Sequence, residues 1–286
     1  RVQKAVNRIQ PFEMVEKVME KARNAGFRSI NFDLIYGLPY QTVSSMEKTL
    51  SQVVTLDPDR IAFYRLAVIP EIFHCQKAFS KTDLPEGDLT LSFMEMAADT
   101  FQNHGYEFIG LDHFAKDHDP LKTSKDTCNL VRTFQGMTTS GNLCVLGVGP
   151  SAISILADSY AQNDKDTQCW LKKLENGFAT AKGMNLSKDD LVRKEVMNRL
   201  YCHGIVDMKD ISEKFEIDFQ GYFKDELERI KILEPLGIAR TEAEKITLTG
   251  LLGRFLVRIA ASVFDAYLPP DSYLKGLPNG RGSKIG

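Results

Sequence analysis

Three apolar runs constrain this chain most: SINFDLI from Ser29, RIAFYRL from Arg60 and YEFIGL from Tyr106. Each is rich in strand-forming residues and follows a segment with helical periodicity. Over 11–27, Pro11 suits a first helical turn, Val15, Val18, Met19 and Ala22 share one face, and Gly26 suits the stop. Thr42 or Ser44 caps a second helix that ends near Leu56, with Glu47 three residues after Ser44 as in a capping box. A third helix is predicted over 87–104, and a further short strand, CVLGVG, over 144–149. Helices alternating with strands too apolar to carry a wet face predict an α/β fold around a parallel sheet, either a barrel or an open doubly wound one. Functional groups in such folds gather where strands end.

The texture changes after about residue 183. Short helices are predicted over 190–203, 207–217 and 219–234, and IARTEAEKITLT (238–249) reads as a small hairpin. Three helices and a hairpin predict a mostly helical, winged-helix-like second domain. A DNA-binding module is one reading of that shape. Between Lys188 and Lys245, however, eleven Lys/Arg face fourteen Asp/Glu, where a nucleic-acid reader needs a basic stripe. A lid or docking module fits better. The whole chain has a formal net charge of −2, so it makes no global electrostatic case for nucleic acid or an anionic membrane. Its most apolar long window, LLGRFLVRIAASVFDAYL (251–268), is broken by Arg254, Arg258 and Asp265 and predicts a buried or docking helix, not a membrane span.

Cysteines stand at 75, 128, 144, 169 and 202, with no CxxC pair, so neither a disulfide framework nor a local metal site is expected. The five scattered histidines give no metal-ligand spacing either. Reduced thiols fit a cytoplasmic protein. The opening Arg1-Val2-Gln3 carries neither a Met nor a signal peptide and reads as the interior of a longer chain.

Asp33 stands between Phe32 and Leu34 and admits two readings. One is a buried acid tied to backbone amides. The other is a ligand carboxylate at a strand mouth, with YGLP as a close-approach loop. Arg8, Arg65 and Arg132 suit bidentate binding of an acidic ligand, and Arg65, inside an apolar run, needs an anion or water. GVGPSA (147–152) is a weak dinucleotide fingerprint because Pro150 removes an amide; a close backbone approach to a flat ligand is preferred. Asp112-His113 is either an acid–base pair or a structural histidine beside an acid.

Taken together, VQKAVNRIQ (2–10), DLIYGLPYQT (33–42), YEFIGLDHFA (106–115), RTFQGMTT (132–139), LGVGPSAIS (146–154), DSYAQN (158–163) and GRFLVRIAASVFDAYL (253–268) resemble one family. It is the oxygen-independent coproporphyrinogen III oxidases of the radical SAM superfamily. The likeness covers residues 1–268 and leaves 269–286 as an unmatched tail. It implies the later part of a partial (β/α) radical SAM barrel over 1–180 and the helical domain over 181–268.

The resemblance also implies a reaction: two propionates of coproporphyrinogen III lose CO₂ and become the vinyl groups of protoporphyrinogen IX, in haem biosynthesis. A [4Fe–4S] cluster and S-adenosylmethionine, two molecules per site in the family, would be the cofactors. By position, Arg8, Asp33 and Ala67 match contacts to the second S-adenosylmethionine, Ile153 a contact to the first, and Phe134 and Gln135 residues lining the site. The family's CxxxCxxC motif has no counterpart here, so a fragment without catalysis of its own is expected, the activity belonging to a longer parent. FYRLAVIP and RTFQG replace segments the family writes nearer to FNYAHLP and RNFQG. The expected partners are coproporphyrinogen III and an electron donor or acceptor of unspecified identity, with a monomeric protein and no nucleic acid. A haem-trafficking relative that shares DLIYGLP is the nearest alternative.

Overall fold

The computed structural model describes residues 1–71, 73–134, 136–139 and 144–268. After a short helix α1 (Val2–Ala5), the chain alternates α2 (Phe12–Asn24), β1 (Asn31–Tyr36), α3 (Val43–Leu56), β2 (Arg60–Arg65), α4 (Gly87–Asn103) and β3 (Tyr106–Gly110). These elements fall within a few residues of the sequence expectation. The cap of α3 differs. Thr42 accepts from the Ser45 amide while Ser45 accepts from the Thr42 amide, so Ser45 and not Glu47 closes the capping box.

The sheet is not purely parallel. β1 and β2 run parallel, but β4 (His113–Lys116) folds straight back from β3 and inserts between it and β2, antiparallel to both. The resulting order, β1-β2-β4-β3, is an open four-stranded sheet. Leu111 takes φ 51 in the tight reversal, which placed Asp112-His113 inside a hairpin and not after a closing strand.

Side-chain alternation divides the two faces. Ile61, Phe63, Phe108 and Phe114 turn towards α3 and α4, where they pack on Met46, Leu50, Phe93 and Phe101. Phe101 meets Phe114 edge-on at 5.0 Å, and each fully buried ring stabilises by about 2–3 kcal/mol. On the opposite face, Ile109 and Ala115 pack beneath Leu121, Leu130 and Cys202. This half is therefore covered by α5 (Pro120–Asp126), the hairpin β5 (Val131–Thr133) and β6 (Gly136–Thr138), and the later helix α7 (Lys188–His203).

Between β6 and α7 lies a small antiparallel sheet, β7 (Ile153–Ile155), β8 (Ser159–Asn163) and β9 (Thr180–Asn185), with α6 (Thr167–Leu174) before β9. The predicted strand over 144–149 is absent from the described residues; Val145 makes only an isolated bridge to Ile155. Its glycines and Pro150 do not sustain a ladder.

From α7 onward a second core forms. It joins α7 with β10 (Ile205–Asp207), α8 (Met208–Phe215), α9 (Phe219–Tyr222), α10 (Lys224–Leu233), β11 (Ala239–Glu242), β12 (Lys245–Leu248), α11 (Gly250–Phe255) and α12 (Val257–Ser262). The helix expected over 219–234 is two, and the apolar window from Leu251 forms two short helices packed inward. The expected hairpin is present and gains β10 as a third strand, which gives the winged-helix-like arrangement. No helix among the described residues is long and apolar enough to cross a membrane. The two cores meet where β3 passes α7: a Cβ on Gly110 would lie 2.4 Å from the Tyr201 carbonyl, so only glycine permits that approach.

Candidate functional site

Asp33 is exposed, which removes the reading of a buried acid and leaves that of a carboxylate open to a ligand. Phe32 and Leu34 turn to the helices, and the pleat places Asn31, Asp33 and Ile35 together on the other face. Asn31 donates to Asp33 Oδ1 at 2.6 Å. Ala62 is its register partner on β2. Next along β2, the Tyr64 hydroxyl is held protonated well above the usual phenol range, by burial first and then by its approach to Asp33.

The neighbouring strand adds His113, paired in register with Ala62, its ring edge-on to Tyr64 at 6.5 Å. Burial pushes the His113 pKa below its ordinary value; Asp112 and Asp33 act against that shift, and Arg132 and Arg60 reinforce it. A neutral imidazole results at pH 7. Its Nδ1 is buried without a partner among the described residues.

Arg132, on β5, closes the group. Its amide donates to Asn198 Oδ1 at 2.9 Å, and its guanidinium lies 5.5 Å from the centre of the Tyr201 ring. Burial, then the neighbouring Arg258, presses its pKa down. Asp112 is close enough to act on it but spends its carboxylate on Arg258, 3.1 Å away. The sheet's open half thus carries a carboxylate, a phenol, a neutral imidazole and a guanidinium in sequence.

Beside this group opens a cleft of about 1620 Å³ between the β5–β6 hairpin, the small β7–β8–β9 sheet and α7. Phe134 and Ile153 both line it. Phe134 is 40% exposed and meets Tyr160 edge-on at 5.1 Å, which leaves a flat apolar wall available to a ligand. Gln135 lies outside the described residues.

Of the other predicted residues, Arg8 is exposed after α1 and Ala67 is exposed after β2, its carbonyl accepting from Gln76 at 2.8 Å. Among the described residues, no hydrogen bond or ion pair joins either to Asp33. Arg65 is exposed at the end of β2 and needs no buried anion. Gly37 turns the chain at φ 79 with no tight neighbour, so conformation, not close approach, requires it. In GVGPSA the close approach is internal: a Cβ on Gly147 would sit 2.8 Å from the Ile153 backbone, which corrects the flat-ligand reading of that glycine. Tyr64, Tyr201 and Lys194 escaped the sequence reading, because only strand register and the docking of α7 bring them to the site.

Over 273 residues the chain is 38% identical to the oxygen-independent coproporphyrinogen III oxidase of Thermostichus vulcanus, an overlap that takes in 95% of this chain and 84% of that protein. The chain belongs to the oxygen-independent coproporphyrinogen III oxidase family. It is also 39% identical over 269 residues to the oxidase of Pseudomonas aeruginosa, with 94% of this chain and 58% of that one covered. The solved structure of coproporphyrinogen III oxidase from Escherichia coli, described as a radical SAM enzyme, superposes with a TM-score of 0.87 at 36% identity, covering 93% of this chain and 62% of that chain. The chain therefore spans about 58% of the length of the Pseudomonas aeruginosa oxidase. No protein-family model matches it. Within the oxidase family, the open sheet is the later part of the partial (β/α) barrel, followed by the winged-helix-like region.

Proposed function

We propose that this chain supplies the tetrapyrrole-facing part of an oxygen-independent coproporphyrinogen III oxidase, which converts two propionates of coproporphyrinogen III to vinyl groups. The observation that carries the reading is the grouping of Asp33, Tyr64 and His113 with Arg132, which itself lines a large cleft walled by Phe134. A tetrapyrrole whose pyrrole rings carry carboxylates is suited by such an aromatic wall and such a cation. Residues 1–180 and 181–268 act as the two units; separate cores around Phe101 and around Phe223 support that division.

S-adenosylmethionine fits the Asp33 end. A carboxylate offers roughly four acceptor positions, and Asn31 and Tyr64 leave capacity for a ligand ammonium or ribose hydroxyl. In such an oxidase, a first S-adenosylmethionine reduced by a [4Fe–4S] cluster would supply the hydrogen-abstracting adenosyl radical. Arg8 and Ala67 are proposed, with Asp33, as contacts to the second molecule, Ile153 as a contact to the first, and Phe134 and Gln135 as lining. Asp33 and Tyr64 orient the ligand, and His113, held neutral by burial, offers a hydrogen-bonding nitrogen without adding charge. A [4Fe–4S] cluster does not fit the residues described: the five cysteines are unpaired, and no group of three His, Cys, Asp or Glu side chains gathers among the described residues. An electron acceptor is proposed as a partner because each decarboxylation also releases an electron.

The test is calorimetric titration of S-adenosylmethionine into the chain and into Asp33→Ala. Weakening by about tenfold, with unchanged circular dichroism, is expected for one lost charge-assisted hydrogen bond. Unchanged affinity returns Asp33 to a structural role.

A further inference from the structure

The cleft is lined by several cations, and their partners differ. Arg199 lies 2.9 Å from Glu195 and 3.3 Å from Asp210, Lys214 lies 3.0 Å from Glu195, and Lys245 lies 3.5 Å from Asp207. Arg132 and Lys194 line the same cleft, yet neither has a carboxylate within ion-pair distance among the described residues. Both are only partly exposed. Burial depresses the pKa of each, so each is held charged at a cost.

Their placement is also shared. Lys194 and Asn198 are one turn apart on α7 and point to the cleft, and Asn198 accepts the Arg132 amide at 2.9 Å. Each cation is backed by an aromatic ring, Arg132 by Tyr201 at 5.5 Å and Lys194 by Tyr160 at 4.9 Å. Tyr160 in turn carries Phe134 on its edge. Two partly dehydrated cations with no carboxylate at ion-pair distance among the described residues flank one aromatic wall. Such a constellation destabilises the empty protein and is relieved by anions attached to a flat apolar body.

We propose that Arg132 and Lys194 form a two-cation subsite that holds two carboxylates of the tetrapyrrole while its ring lies against Phe134 and Tyr160. This rests on the function proposed above and adds the residues that recognise the substrate's acid groups. Arg132 takes one carboxylate through its fork and Lys194 takes another as a point charge. These are specificity-determining residues. They distinguish a polycarboxylate macrocycle from its neutral counterpart, since an ester leaves both cations unpaired.

The probe is coproporphyrin III, the stable oxidised tetracarboxylate, compared with its tetramethyl ester. Binding to the chain is followed by porphyrin fluorescence for the unaltered protein, Arg132→Gln, Arg132→Lys, Lys194→Met and Lys194→Arg. Saturable binding of the acid is expected, weakened about 10- to 100-fold by Arg132→Gln or Lys194→Met, the range for hydrogen bonds to charged groups. Lys194→Arg restores most of it, and Arg132→Lys restores part. The ester binds weakly and is indifferent to all four substitutions. If the unaltered protein binds acid and ester alike, or if neither neutral variant weakens the acid, the subsite is overturned and the proposed function stands. If the unaltered protein binds no porphyrin, both fall. Lys194→Met lies on a helix surface and keeps the test valid should Arg132→Gln fail to fold.

Discussion

Arg258 Nη2 lies 3.1 Å from Asp112 Oδ2, which ties α12 to the turn between β3 and β4. The Asp112 side chain is 15% exposed and the Arg258 side chain 47%, so the pair stands at the border between the two cores. Asp112 serves two cations at once: it holds Arg258 directly and opposes the repulsion between Arg258 and Arg132.

That sharing makes the two partners unequal. Asp112→Asn leaves two guanidinium groups facing each other and is expected to cost about 1–2 kcal/mol. Arg258→Gln removes a partly exposed pair but also relieves Arg132, so its cost stays below about 0.5 kcal/mol. Urea unfolding of both single variants and the double variant checks this; equal costs for the two singles would remove the shared role of Asp112.

A second expectation concerns the junction of the cores. Gly110→Ala places a methyl group 2.4 Å from a backbone oxygen of α7, which cannot swing aside as a side chain does. Destabilisation of about 3 kcal/mol follows, the upper range for overpacking. Denaturant titration measures it, and a change under ~0.5 kcal/mol would mean that β3 and α7 are further apart in solution.

Stability should also depend on Asp59, whose side chain is 6% exposed. Burial raises its pKa, but hydrogen bonds from His118 at 2.9 Å, the Ile30 amide at 2.7 Å and Arg23 at 2.6 Å outweigh burial and hold it below the ordinary value. A depressed folded pKa means that the unfolded chain binds the proton first. The stabilisation is therefore complete above about pH 4–5, the usual carboxylate range, and is lost as pH falls through the depressed value. Asp59→Asn is expected to cost about 2–3 kcal/mol at pH 7, with the gap to the unaltered protein closing in acid. A gap independent of pH would show that the lost contacts, not the charge, matter.

The sequence made the helix-to-strand order from α2 to β3 legible because each element carries its own period and its own stop. β4 was not legible: HFAK is four residues long and follows β3 after a two-residue reversal. Neither was β9, whose TAKGMN is almost wholly exposed and lacks an apolar face. For the site, Phe32 and Leu34 made Asp33 look buried, although strand alternation sends them to the opposite face. Arg132 was visible as a candidate anion binder. Its tie to Asn198, 66 residues away, and the absence of a carboxylate at ion-pair distance among the described residues are properties of the packed chain.

The central claim is that Asp33 and Tyr64 hold S-adenosylmethionine while His113 and Arg132 face the tetrapyrrole of a propionate-decarboxylating oxidase. Its most direct test is an anaerobic assay of the protein in its full natural length, reconstituted with iron, sulfide and S-adenosylmethionine and supplied with coproporphyrinogen III. The account predicts protoporphyrinogen IX and two CO₂ per substrate, with the rate lowered at least about tenfold by Asp33→Ala without loss of fold. A protein that takes up both cofactors yet releases no CO₂, or an Asp33→Ala variant as fast as the unaltered protein, would contradict it.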